Sequence, residues 1–205
     1  MKNKGLLLAI ILYFLIVNTS YFWESHLGLL AFPFYLILGV VYLGFIFVFI
    51  RNIYFLIKEN FSEKKRFITC GLLLLVLTLT FLKPKGIFDF ERLESSNILE
   101  AQSEGAANCT TVIKLKKDYT FNKRSICFGV SKVKGNFIFQ NDTIYFKNIQ
   151  LGKLDTEFYS FAVIEPDEFN KMNKHFILKC FKNKTDSTGT KLNITKIEWE
   201  SLKHL

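Results

Sequence analysis

The spacing of apolar and polar residues along the chain changes character once, near residue 83. Before that point apolar runs are long and unbroken; after Cys109 apolar and polar residues alternate at period two. Phe67–Leu82 (FITCGLLLLVLTLTFL) stands at the divide, with no charge and no proline, between Lys64-Lys65-Arg66 and Lys83-Pro84-Lys85.

The first part, residues 1–82, predicts an α-helical membrane region of three transmembrane helices, over about residues 5–23, 27–50 and 67–82. The first begins after a basic MKNK and ends in Tyr21-Phe22-Trp23, an interfacial aromatic belt. Asn18-Thr19-Ser20 makes a poor cleavage site, so an uncleaved span is preferred to a signal peptide. The second, Leu27–Ile50, is free of charge and long enough to cross with some tilt; Pro33 predicts a kink in its first third. Residues 51–66 read as a basic connector, either solvated or amphipathic on the bilayer surface. The third span is short for a hydrocarbon core of about 30 Å, and snorkelling by Arg66 and Lys83 extends it.

Residues 83–107 form a juxtamembrane linker. Pro84 and Gly86 break the helix, and Ser95-Ser96-Asn97 predicts the cap of a short helix over Ile98–Gln102. Residues 108–205 predict an all-β domain. Strands are expected over 110–116, 120–130, 136–140, 143–146, 158–165, 175–181 and 191–199, with turns at 117–119 and 131–135. Asn141-Asp142 tolerates the positive φ of a type I′ turn, which sets Phe139 opposite Ile144 and Phe137 opposite Phe146. Pro166-Asp167-Glu168 opens a short helical turn through about Lys174. The fold class is an antiparallel meander with one short helix, closed as a small barrel (lipocalin-like) or stacked as a sandwich, with the barrel preferred.

Charge decides topology. The net +9 is spread over both halves, so neither is a basic tail. Lys2 and Lys4 precede the first span and five basic residues fill 51–66, while the loop around Glu24-Ser25-His26 has no Lys or Arg. The positive-inside rule therefore places the N-terminus in the cytoplasm and the β domain outside the cytoplasmic (inner) membrane.

That compartment bears on the cysteines. A hairpin centred on Asp118 sets Leu115 against Phe121, Ile113 against Lys123, Thr111 against Ser125 and Cys109 against Cys127. An oxidising compartment then predicts a Cys109–Cys127 disulfide. Cys180 is expected buried, and Cys70 free within the membrane.

Catalytic chemistry is not legible. The sequence contains no G-x-S-x-G, H-E-x-x-H, phosphate-loop or dinucleotide motif, and His26, His175 and His204 are dispersed. No catalytic residue, cofactor or metal ligand is assigned. Asp167 and Glu168 read as helix-opening acids, and Glu198 and Glu200 as a polar strand face. The lysines at 114, 116, 123, 132, 134 and 147 alternate with apolar residues, so a solvated outer face is preferred to an anion-binding patch.

The expectation is a non-enzymatic integral membrane protein whose extracytoplasmic β domain binds a ligand or protein partner, in an accessory, envelope or immunity-type role. The bilayer is one partner; nucleic acid is not expected. The alternative comes from layout. Transmembrane helices followed by a small β-barrel resemble certain anti-phage effectors, and that resemblance implies a cytosolic barrel sensing a cyclic nucleotide and helices that disrupt the membrane.

Overall fold

The computed structural model describes residues 2–167 and 175–203. It divides into two compact units, residues 1–24 with 30–90, and residues 25–29 with 91–205.

The first unit is helical. α1 spans Lys2–Asn18, α2 Ser20–Leu27, α3 Ala31–Lys58 and α4 Lys64–Leu82. Among the described residues, two stretches are long and apolar enough to cross a membrane, Ser20–Lys58 and Lys64–Leu82; Lys4–Asn18 is apolar but shorter. Ile10, Tyr13 and Val17 of α1 pack against Leu38 and Phe45 of α3 and Leu73, Val76 and Leu77 of α4. Leu36, Val40, Leu43 and Phe47 of α3 and Leu74, Leu75 and Phe81 of α4 face outward. The helical unit is therefore apolar on its outer faces as well as inside.

Three expectations for this unit change. The first span, expected to run to Trp23, breaks at Thr19, because Asn18 turns its amide back on the helix. Its Nδ2 donates to the Phe14 carbonyl at 2.8 Å and its Oδ1 accepts from Ile87 N–H at 2.8 Å. The second helix does not end at Ile50. Ile53, Phe55, Leu56 and Ile57 carry the apolar pattern on without Gly or Pro, and α3 stops where Asn60 and Phe61 take φ of 47° and 61°. Pro33 lies in the first turn of α3, where its missing N–H has no intrahelical partner to lose, so the kink has no basis.

The second unit is an eight-stranded antiparallel barrel in chain order: β1 Asn97–Glu104, β2 Thr110–Lys116, β3 Thr120–Ile126, β4 Val130–Gln140, β5 Thr143–Gln150, β6 Phe161–Pro166, β7 Phe176–Phe181 and β8 Thr190–Ile197. Leu99 pairs with Ile197 and Gln102 with Asn193, so β1 closes on β8 and the sandwich is excluded. The Asn141-Asp142 turn has φ of 51° and 57°, and Phe139 faces Ile144 and Phe137 faces Phe146, as the register predicts.

The helix expected over 98–102 is strand β1 instead. Ile98, Leu99 and Ala101 are fully buried, and this strand supplies hydrogen bonds to both β2 and β8, which outweighs a local cap signal. The turn expected at 131–135 lies inside β4; the reversal is at Cys127–Gly129, where Cys127 N–H donates to the Gly129 carbonyl at 3.0 Å. Ser131 and Gly135 are small because other groups fill their space. A Cβ on Gly135 would sit 2.7 Å from the Phe121 ring and 2.6 Å from the Lys147 carbonyl. The helical turn expected through Lys174 falls on residues 168–174, outside the described residues.

An eight-stranded barrel is just wide enough for side chains to fill. Here Phe121 stacks on Phe158 with centroids 5.0 Å apart, Phe146 meets both rings edge-on, and Leu115, Val133, Phe137, Ile144, Leu178 and Leu192 complete the core. A short helix, α5 (Trp199–Lys203), follows β8 and buries Leu202 completely in that core.

Candidate functional site

Alternation puts residues 111, 113 and 115 of β2 and 121, 123 and 125 of β3 on the inner face, with Ile113 opposite Lys123 and Thr111 opposite Ser125. Continuing that column one rung brings Cys109 against Cys127. They form a disulfide, with Cα atoms 4.3 Å apart, at the rim where β3 turns into β4. The expected pairing is therefore present. Cys70 and Cys180 are free and buried.

The same inner column carries a charge. Lys123 points into the barrel, which corrects its expected place on a solvated outer face. Its Nζ lies 2.6 Å from Asp155 Oδ1, and the two side chains are 13% and 10% exposed. Asp155 Oδ2 accepts a short hydrogen bond from Ser131 Oγ. The connection from β5 to β6 folds inward to deliver Asp155, and Phe158 in that connection lies under the Lys123 ammonium. Gly152 permits the approach: a Cβ there would meet Ser131 Oγ, the Lys132 carbonyl at 2.9 Å and Asp155 Oδ2 at 3.0 Å. One rung away, Thr111 and Ser125 hydroxyls bond at 3.1 Å.

Each carboxylate oxygen of Asp155 thus has a donor inside the barrel. Buried charges persist when paired and hydrogen-bonded in this way. Burial pushes the Cys180 thiol well up, and Lys123 nearby only partly opposes it. A thiol held protonated is a packing group rather than a nucleophile. Tyr159 is also raised by burial, against a hydrogen bond from Thr190. Among the described residues, no group of three or more His, Cys, Asp and Glu is placed to hold a metal ion.

The outer wall differs from the expected solvated ladder. Lys114 Nζ pairs with Glu91 at 2.6 Å and Lys116 pairs closely with Glu94, which also stands 3.9 Å from Lys134. The linker just before β1 therefore lays its acids on the lysines of β2. Burial, then the neighbouring Lys134, pulls Lys132 down to about 8, against the carboxylates of Glu94 and Glu91. Lys134 and Lys147 are exposed as expected. Glu198 pairs with Lys196 at 2.9 Å, beyond the end of β8. Clefts lie on the outer wall. One, of about 440 Å³, crosses β3, β4 and β5, and another, of about 500 Å³, lies near Glu165, Lys179 and Lys191.

Asp155 carries no signal in the sequence, since its partners lie on strands more than twenty residues away. Lys123 does carry one: the register that pairs it with Ile113 already places it inside. No family model, curated protein or solved structure matches this chain.

Proposed function

We propose that this chain is a non-enzymatic integral membrane protein whose β-barrel stands on the extracytoplasmic side and recognises a ligand or protein partner through its outer wall. The observation that carries this reading is the filled interior. Phe121, Phe146 and Phe158 occupy the barrel, Leu202 is buried in the same core, and the inner charges are paired with one another. A barrel packed in this way has its accessible polar clefts outside. The Cys109–Cys127 disulfide supports an oxidising compartment, and the lysines and arginines beside the apolar helices support the same side. The long apolar helices supply the anchor.

The test fuses a reporter active only outside the cytoplasm, or only inside it, after Leu205, and labels thiols before and after reduction. Activity of the external reporter, with Cys109 and Cys127 protected until reduction, is expected. A cytosolic C-terminus with Cys109 and Cys127 alkylated without prior reduction would overturn the assignment and favour a cytosolic sensor driving the helices.

A further inference from the structure

We propose that the cleft across β3, β4 and β5 is a binding groove for a hydroxyl-rich ligand, a saccharide chain. The inference deepens the function proposed above and rests on it only for the side of the membrane.

The groove is built by register. Asn122 of β3 stands opposite Lys134 of β4, and Lys134 opposite Gln150 of β5, so three polar side chains form one row across three strands. The next rung is irregular. Asn136 pairs with Lys147, so Asn148 and Ile149 of β5 together oppose the single Gly135 of β4, one extra residue, and Asn148 takes φ of 49°. Such a bulge re-aims side chains. It brings Asn148 Nδ2 to 3.3 Å from Asn136 Oδ1 and gathers four primary amides, Asn122, Asn136, Asn148 and Gln150, into one groove of about 440 Å³.

Primary amides offer two donors and two acceptor lone pairs each, which matches hydroxyl groups that also donate and accept. The groove is a poor fit for a bare anion, because Glu94 already engages Lys116 and stands near Lys134. Asn122 points to an external partner. The residue is 5% exposed and lines the groove, yet its Oδ1 has no hydrogen-bond partner among the described residues. A buried acceptor without a donor is costly, and a ligand hydroxyl supplies one. The oxygen is shut from solvent, so entry of the ligand moves a neighbouring side chain; the half-exposed arm of Lys134, which also lines the groove, is the one with room to swing.

The full chain in detergent micelles is titrated with chitotetraose, maltotetraose and a poly(glycerol phosphate) oligomer, following side-chain amide resonances by NMR. Saturable shifts of Asn122, Asn136 and Gln150 with a neutral tetrasaccharide are expected. Asn122→Leu should weaken binding at least about tenfold while the melting temperature holds or rises, since an unsatisfied acceptor is removed. Gln150→Ala, at an exposed position, should weaken binding with no change in melting temperature. No saturable shift with either sugar overturns the proposal. So does Asn122→Leu lowering the melting temperature with binding intact, which would mean that water satisfies the oxygen. Binding of the phosphate polymer alone, lost at high salt, would make the groove a lysine-based anion site and overturn the saccharide assignment. Sugar binding by a barrel whose C-terminus reports as cytosolic would leave this inference standing and remove the topology.

Discussion

Lys123 Nζ and Asp155 Oδ1 meet at 2.6 Å inside the barrel, joining the inner face of β3 to the connection between β5 and β6. Removing one partner leaves the other charge buried. Lys123→Met is expected to destabilise the barrel by about 3–5 kcal/mol, whereas Lys123→Met with Asp155→Leu should recover most of that loss. Denaturant midpoints of the single and double variants check both. Equal losses would mean that the Asp155 carboxylate finds water when Lys123 is gone.

The Cys109–Cys127 bridge closes a loop with a sequence separation of 18. In the chain-entropy model its loss costs about 3 kcal/mol. Cys109→Ser with Cys127→Ser should lower the unfolding midpoint by a matching amount, and reductant should lower the wild type but not the variant.

Gly152→Ala places a methyl against Ser131 Oγ and Asp155 Oδ2. Overpacking of this kind costs about 1–3 kcal/mol. Combined with Asp155→Ala, which opens the space, the penalty of the glycine substitution should shrink. Thermal melts of the two singles and the double measure the coupling.

Lys132 is held at about 8 by burial and by Lys134, so the folded state disfavours its proton relative to the unfolded chain. Between about pH 8 and the ordinary lysine value the unfolded chain binds more protons, and stability rises with pH there. Below pH 8 the penalty is fully present. Lys132→Gln should therefore melt above the wild type at pH 7, with the gap narrowing by pH 10. A gap that is constant across that range would show that Lys132 carries its charge freely in the fold.

The local parts of the fold were readable. The Lys117-Asp118-Tyr119 turn and strict alternation on either side fix the β2–β3 register, and the disulfide follows from it. Asn141-Asp142 does the same for β4–β5. What failed depended on distant partners. Ile98–Gln102 looks helical by its Ser95-Ser96-Asn97 cap and becomes part of strand β1 because Ile194 and Ile197 arrive from nearly a hundred residues away. Ser131 and Gly135 look like turn residues but are small to admit Asp155 and Phe121. The outer groove depends on a bulge at Asn148 that alternation cannot signal.

Closure of β1 on β8 also fixes an order of events during synthesis. Leu99 emerges first and waits for Ile197, which at roughly 5–20 residues per second is a delay of several seconds. Cys109 and Cys127 are both available well before that, so the covalent clasp can form on a lone hairpin. Until the last strand arrives the nascent domain has an open seam on each side, and a chain truncated before Thr190 never loses it.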